Sequence, residues 1–286
     1  MAVMMRSADN RLMRLRILPI LFILGPAILC ADLAFDLRET VSGHPHLVLK
    51  TTERTSRVSI SAGRVARAQF DFVRIEEPAG NLVTLIDHRG KRFATARIDE
   101  AFRKNWTNPR PAAIAGVRME AIQTGVPGEW NGSRVKRDVI RVSVPGAPGP
   151  GDWTWEMDIA ENPPGFEGSK QIIEFAAQRK DQDILAMINT LAAAETELLG
   201  DASKVRERQT FGIPVHSIAE FRLRAGSPVL AGIGQEYAGY PVMTLDAEVE
   251  NFTTEVDAGV FFVPPGYVQL EFPALARERA ARAASW

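Results

Sequence analysis

Apolar and polar residues alternate strictly between Met243 and Glu250. The apolar positions are Met243, Leu245, Ala247 and Val249. Because successive side chains of a β-strand point to opposite faces, this segment predicts a strand with one buried and one solvated face. Such strands are typical of antiparallel sheets covered on one side, since strands buried on both faces read as continuous apolar runs.

The residues after this strand predict a closing hairpin. A turn near Asp257 and Gly259 is followed by the apolar run from Phe261 to Val263, which we expect to return to the core as the second strand. Pro264 and Pro265 then remove two backbone donors in succession, which ends a strand. We therefore expect the chain to close on its own sheet.

The same period of two recurs along most of the chain. Strand-like segments occupy residues 33–52, 58–75, 82–98, 116–144, 153–159 and 211–224. Turn residues such as Asp87 to Gly90 separate them, which predicts one hairpin after another. Arg64, Arg67 and Arg74 interrupt the apolar residues of the second segment. The pattern indicates a mainly β protein with antiparallel strands.

One mid-chain segment, from Gln182 to Leu199, has helical spacing instead. Its apolar stripe comprises Ile184, Leu185, Met187, Ile188, Leu191 and Leu198. An isolated helix of this length is marginal in water, so the stripe is expected to pack on the sheet. The fold class is then α+β, mainly β. If the sheet and helix enclose a ligand cavity, Leu185, Ile188 and Leu191 are the candidate wall residues.

Residues 1–31 resemble a secretory signal peptide. Four arginines form a basic start, and the apolar stretch from Ile17 to Leu29 is too short to span a membrane, which takes about 20 apolar residues. We expect cleavage after Ala31 and a location in the periplasm or outside the cell. Met13 is an alternative start codon.

The only cysteine, Cys30, lies beside the expected cleavage point. In a lipoprotein the lipid is attached to a cysteine at this position, and the residue before that cysteine is Gly, Ala or Ser. Leu29 does not fit this pattern. We therefore expect no lipid anchor. The mature chain would then contain no cysteine, which favours a bacterial envelope over a secretory route that uses disulfides.

The rest of the chain predicts a single domain over residues 32–272 and a flexible tail over residues 273–286, rich in arginine and alanine, which we expect to be a frayed helix or disordered. The 286 residues include 34 basic and 35 acidic ones. Removing the four arginines of the signal peptide makes the mature chain weakly acidic, which argues against nucleic acid as a partner. No segment of the mature chain is expected to cross a membrane.

The candidate chemistry is sparse. His44 and His46 could share one strand face as metal ligands, but no cysteine or carboxylate pattern completes such a site, so turn histidines are the preferred interpretation. His88 and His216 lack an orienting third group. Most of the five tryptophans are interpreted as core residues. We therefore predict no catalytic residue, no metal and no cofactor, and no enzymatic activity.

Several short motifs together resemble exported bacterial proteins related to the carriers that shuttle lipoproteins to the outer membrane (LolA/LolB-like). They are Leu85–Asp87, the turn at Gly132, Trp153–Ile159, the mid-chain helix, Gly239–Pro241 and Phe262–Tyr267. This resemblance implies an unclosed, strongly curved antiparallel sheet (a half-barrel) wrapped around the mid-chain helix. It also implies an apolar cavity that takes acyl chains. The long arginine-rich tail departs from the carriers.

Two functions remain open at this stage. The first is an exported binding or carrier module for a hydrophobic ligand, either a lipid or an acylated protein such as a lipoprotein. The alternative is an interaction or scaffold protein of the cell envelope, with an envelope protein as its partner and a filled core. A continuous apolar cavity beside the mid-chain helix favours the first, and a completely packed interior favours the second.

Overall fold

The computed structural model describes residues 32–47, 50–99, 102, 118–144, 151–167, 170 and 212–284. The predicted signal peptide and the predicted mid-chain helix lie outside these residues, and with the helix lie its candidate wall residues Leu185, Ile188 and Leu191. Within the described part of the chain, no helix is long and apolar enough to cross a membrane.

In the described part of the chain, twelve strands form one sheet. They are β1 (Leu33–Gly43), β2 (Thr52–Ser61), β3 (Arg64–Gln69), β4 (Phe72–Glu77), β5 (Leu82–Asp87), β6 (Arg92–Arg97), β7 (Arg118–Trp130), β8 (Ser133–Val144), β9 (Gly151–Glu161), β10 (Gly212–Leu223), β11 (Pro241–Thr253) and β12 (Val268–Gln269). The described α-helices are α1 (Leu230–Ile233) and α2 (Phe272–Ala284). Short 3₁₀ turns occupy Pro78–Gly80, Gln235–Tyr237 and Ala258–Phe261.

The strand order is β12-β6-β5-β4-β3-β2-β1-β11-β10-β9-β8-β7. The chain starts in the middle of the sheet, steps outward through hairpins to β6, resumes at the opposite edge with β7 and steps back until β11 pairs with β1. Neighbours joined by hairpins are antiparallel, as tight turns require, and β12 alone runs parallel to its neighbour β6. The predicted mainly β, unclosed and curved antiparallel sheet is confirmed.

Alternation along the strands gives the sheet two faces. We call the face that carries Leu33, Phe35 and Leu37 the inner face; cross-strand register places Val58 of β2 opposite Phe35 on this face. The largest apolar cluster is centred there. Its members include Leu33, Phe35, Leu37, Val58, Ile60, Val65, Ile140, Val142, Trp155, Met157, Ile159 and Val215. Each fully buried side chain of this size contributes about 1.5–3 kcal/mol relative to an exposed one.

The predicted closing hairpin does not form. β11 is already paired with β1 on one side and with β10 on the other, so it offers no free edge to a returning strand. Instead the chain crosses the outer face of β3–β5, where Phe261 packs on Ala66, Val73, Ile75 and Ile86. Phe262, expected in the core, is 59% exposed. The chain then reaches the far edge as β12.

The C-terminal segment, for which the composition predicts a frayed helix or a disordered tail, forms the helix α2. Leu275 of this helix is fully buried in a cluster with Phe72, Val83 and Leu85 of the inner face. The ring of Phe272 packs against that of Phe102 with a centroid distance of 5.1 Å. The helix is ordered because β4–β6 expose an apolar patch that it covers, and helices of this length depend on such packing.

Replacing Leu275 by alanine is expected to lower the free energy of unfolding by about 2–4 kcal/mol, because the change leaves a cavity between helix and sheet. Urea unfolding followed by circular dichroism measures this change. The control is Arg277→Ala on the exposed side of the same helix. Equal stabilities of the two variants would contradict the docked position of α2.

Candidate anion-binding groove

A groove with a cavity volume of about 360 Å³ lies between α2 and the neighbouring ends of β2, β3 and β4 on the inner face. Its walls carry four arginines and one aspartate, together with two phenylalanine rings and two alanines of the helix. The lining residues are Arg54, Gln69, Phe70, Asp71, Phe72, Arg89, Ala276, Arg279, Ala280 and Arg282. The excess of guanidinium groups makes the groove a candidate site for anions.

Cross-strand register brings the charged side chains of the sheet together. Glu39 of β1 lies opposite Arg54 of β2, and Arg67 of β3 lies directly opposite Arg74 of β4. All four residues lie on the inner face with the apolar core, because each is separated by an even number of positions from buried inner-face residues of its own strand. Two like charges in directly opposed positions destabilise a sheet, so this arrangement has a cost in stability.

Glu39 is the main counter-charge on the sheet. Its side chain is 7% exposed, and its Oε2 accepts hydrogen bonds from Arg54 Nε at 2.8 Å and from Arg67 Nη2. Arg67 Nε also donates to Ser56 Oγ at 2.8 Å. Burial lowers the pKa of Arg67, although the ion pair with Glu39 opposes that effect. One buried carboxylate thus serves two guanidinium groups.

Arg279 of α2 is a partly buried cation of the groove that has no counter-charge among the described residues. Arg74 pairs with the fully buried Glu76, whereas no carboxylate among the described residues pairs with Arg279. Burial, together with the charges of Arg74, Arg67 and Arg54, lowers the pKa of Arg279 to about 10. The group still carries its proton at neutral pH. Desolvation and repulsion by the neighbouring arginines both destabilise this charged form.

The positive charges of Arg74, Arg67 and Arg54 act on Arg279, and no carboxylate among the described residues does so. Arg54 and Arg67 pair with Glu39, and Arg74 pairs with Glu76. Arg279 thus lies near three other arginines and has no carboxylate partner in the described part of the chain. A partly desolvated charge without a partner costs free energy, and a bound anion would remove that cost.

A separate ion cluster holds the C-terminal turns of α2 on the sheet. The fully buried carboxylate of Asp87 accepts hydrogen bonds from Arg92 Nη2 at 2.7 Å, from the Gly90 N–H at 3.0 Å and from Arg282 at 3.1 Å. Arg92 Nη2 also donates to Glu278 at 2.6 Å. Burial by itself raises the pKa of Asp87, but the hydrogen bonds outweigh it and hold the pKa at about 2.

Phe70 gives the groove an exposed apolar edge. It occupies the two-residue turn between β3 and β4, and 59% of its surface is exposed. Its φ of 53° lies in the left-handed region, which costs a bulky residue about 1–2 kcal/mol. Strained residues cluster at functional sites, where the surrounding structure imposes them. An aromatic ring beside guanidinium groups suits a ligand that is both anionic and apolar.

The histidines singled out in the sequence lie elsewhere. His44 and His46 stack with their ring centroids 5.4 Å apart, and His44 also packs edge-on against Tyr237. His88 Nδ1 is hydrogen-bonded to the Tyr267 hydroxyl at 2.9 Å. No group of three potential metal ligands occurs in the described ranges. These contacts agree with turn histidines.

His216 lies on the outer face between two carboxylates, with its Nε2 3.2 Å from Asp246 Oδ1. Trp153 and Trp155 stack with centroids 5.9 Å apart, and Trp155 is 2% exposed in the inner-face cluster. Trp155 is therefore a core residue.

Sequence reasoning missed the groove, although one signal was present. In the alternating pattern of their strands, Arg67 and Arg74 occupy positions on the face where the buried residues lie. Arginine is rare on a buried face unless it is paired. Nothing in the local pattern indicates that Arg279, in the presumed tail, completes this set. The site exists only once α2 docks on the sheet.

No protein-family model matches this sequence, and no curated protein is similar to it. Among solved structures, a chain described as PNGF-II is similar with a TM-score of 0.32 and 8% identity over 85% of this chain. The match covers 32% of that chain, so the protein spans about a third of its length. A similarity at this level supports no conclusion about function. The resemblance to lipoprotein carriers stays a prediction.

Replacing Asp87 by asparagine is expected to lower the free energy of unfolding by about 2 kcal/mol at pH 7, because the folded-state pKa lies near 2 and the ordinary value is 3.8. A lowered pKa stabilises the fold fully above about pH 4, and this stabilisation is lost as the pH falls towards 2. Urea unfolding of both proteins between pH 7 and pH 3 should show the difference shrinking by about half at pH 3.

The matched control is Asp71→Asn, in the exposed turn beside the groove. We expect it to change stability by less than about 0.5 kcal/mol at every pH. An Asp87→Asn difference that stays constant from pH 7 to pH 3 would show that the carboxylate charge does not hold α2.

Proposed function

We propose that the protein is an exported, non-catalytic binding or carrier module for a hydrophobic ligand, a lipid or an acylated molecule, whose anionic group binds in the arginine groove. The observation that carries the proposal is the position of Arg279, a partly buried guanidinium that has no carboxylate partner among the described residues. The predicted signal peptide supports a site of action in the periplasm or outside the cell.

The charge of the groove supports the anionic part of the ligand. A protein that needed these residues only for folding would match them with carboxylates, as it does for Arg92 and Arg282 at Asp87. Around Arg279 the matching is incomplete. The burial of Arg279 without a carboxylate partner destabilises the unbound protein, and a bound anion would remove this destabilisation. Residues that lower stability in this way are typical of binding sites.

The lining of the groove supports the hydrophobic part of the ligand. Phe70, Phe72, Ala276 and Ala280 contribute apolar surface beside the guanidinium groups. The cavity volume of about 360 Å³ lies at the lower end of the range for small-molecule sites, about 300–1,000 Å³. It would hold a head group and the start of a chain, and the exposed Phe70 ring would cover the adjoining apolar atoms.

The alternative, an envelope interaction or scaffold protein with a filled core, is favoured by a different observation. Trp155 and its neighbours on the inner face form one cluster of buried apolar side chains in the described structure. Burial of this kind is what a filled core would show. The alternative leaves the unmatched charge of Arg279 without a use, and for this reason we rank it second.

Native mass spectrometry of the mature protein purified from a bacterial periplasm tests the proposal, followed by organic extraction and lipid identification. We expect a lipid or acylated compound with an anionic group to be bound in stoichiometric amount. The Arg279→Gln variant should retain at least tenfold less of it. A clean apo mass for the natural protein, unchanged after incubation with lipids, would refute the proposal for lipids.

The control for this experiment is Arg277→Gln, two residues earlier on the same helix. Arg277 is exposed and donates Nε to the carbonyl of Pro273 at 3.1 Å, away from the groove. The Arg277→Gln variant should bind as much ligand as the natural protein does. Equal loss from both variants would mean that the total charge of the helix, and not the groove, binds the ligand.

Arg279→Gln should also be at least as stable as the natural protein in the absence of ligand, because it removes a desolvated charge that three other arginines repel. Urea unfolding measures this. A loss of more than about 1 kcal/mol would indicate that Arg279 is a structural residue with a counter-charge.

A further inference from the structure

We infer that the ligand of the groove is zwitterionic, with an ammonium group close to its anionic group, as in a phosphoethanolamine head group; this inference rests on the proposed function. It adds a second charged group to the ligand, whose source is either a lipid or a small soluble molecule. Head groups that have the same phosphate but no ammonium, such as phosphoglycerol, are the competing ligands.

Two side chains of opposite charge line separate walls of the groove, and neither has an ion-pair partner among the described residues. Arg279 belongs to α2, and Asp71 belongs to the turn between β3 and β4. They do not pair with each other, and Asp71 is not among the charges that act on Arg279. A ligand with one group of each sign pairs with both residues, whereas a purely anionic ligand pairs with Arg279 and leaves Asp71 unused.

Arg279 and Arg89 form the end of the groove that binds the anionic group. Arg89 lies in the turn between β5 and β6, and no carboxylate of the described structure pairs with it. Arg282, the other arginine of the helix in the groove, already donates to Asp87 at 3.1 Å. Because Arg279 and Arg89 belong to different elements and each presents a fork of N–H donors, together they suit an anion with several oxygens, such as a phosphate.

Phe70 and Asp71 form the end of the groove that binds the ammonium group. They are the two residues of the tight turn between β3 and β4, and both are exposed, so a ligand has access to them. An aromatic ring attracts a cation through the negative charge of its face, and a carboxylate attracts it directly. The two side chains together suit an ammonium better than either does alone.

The choice of residue in this turn supports a binding role. Positions with positive φ in two-residue hairpins favour asparagine, aspartate or glycine, yet Phe70 occupies such a position with a φ of 53°. Its ring is 59% exposed, so little burial compensates the backbone strain. A contact with the ligand accounts for a bulky aromatic residue that the turn itself disfavours.

Calorimetric titration with two lysolipids that share a dodecanoyl chain tests the inference. One carries a phosphoethanolamine head group and the other a phosphoglycerol head group, and both are used below their micelle-forming concentrations. They have the same phosphate and differ in the terminal group, which is an ammonium in one and a neutral diol in the other. At neutral pH we expect the phosphoethanolamine lipid to bind about fivefold more tightly, since a carboxylate and a ring at an exposed site each contribute modestly.

Asp71→Asn should abolish this preference, because it removes the negative charge at the ammonium end and keeps the size of the side chain. The affinity for the phosphoethanolamine lipid should fall about fivefold, and the affinity for the phosphoglycerol lipid should stay as it is. The matched control is Glu255→Gln, which removes an exposed carboxylate outside the groove and should keep the preference. A folded Asp71→Asn variant that keeps the preference would overturn the inference.

Two further variants test the assignment of the two ends. Arg279→Gln should weaken the binding of both lipids about tenfold and keep their ratio, because the phosphate is common to them. Phe70→Asn, which suits the positive φ of the turn, should lower the affinity for the phosphoethanolamine lipid about threefold. Circular dichroism and urea unfolding confirm that each variant is folded. A preference that is lost in Arg279→Gln and kept in Phe70→Asn would overturn this assignment.

The outcomes separate this inference from the proposed function. Equal affinity for the two lysolipids would overturn the zwitterionic ligand and support the proposed function. Glycerophosphoethanolamine, which has the same head group without an acyl chain, is the soluble probe. If it binds as tightly as the lysolipid, the zwitterionic ligand is supported and the hydrophobic ligand is overturned. Binding of none of these probes would overturn both.

Discussion

The buried carboxylate of Asp87 is the interaction on which the C-terminal half of the structure depends. It accepts hydrogen bonds from Arg92 of the sheet and from Arg282 of the helix, so it joins two elements that are far apart in sequence. A buried carboxylate is tolerated only with such partners, and its pKa near 2 reflects them. With this anchor and the burial of Leu275, α2 forms one wall of the groove. Without the helix there is no groove.

The ion cluster of Asp87 and the surroundings of Arg279 differ in whether each buried charge has a partner, and this difference distinguishes a role in folding from a role in binding. Around Asp87 each carboxylate and guanidinium has a partner, and removing one of them is expected to destabilise the protein. Arg279 has no carboxylate partner among the described residues and is repelled by Arg74, Arg67 and Arg54, so removing it is expected to leave stability unchanged or improved. A residue that costs stability and lines a cavity is better explained by a ligand than by the fold.

The path of the chain after β11 follows from edge occupancy. Both sides of β11 are hydrogen-bonded, so the following segment crosses the outer face, where Phe261 covers an apolar patch, and reaches the edge strand β6. There β12 pairs with β6 and turns the chain onto the inner face. The strands β4–β6 are thus covered on both faces by one continuous C-terminal segment.

The sequence alone determined the local properties of this protein. The alternation from Met243 to Glu250 predicted a strand, and the repeated hairpin patterns predicted an antiparallel, mainly β fold. Both are local signals, because buried and exposed side chains alternate between consecutive residues of a strand. Tertiary structure decided the rest. Which strands have a free edge, and therefore that Phe262 does not return to the core, depends on pairings between distant segments. The arginine groove depends on α2 docking over β4–β6, since Arg67 and Arg279 meet only through contacts that no local pattern encodes.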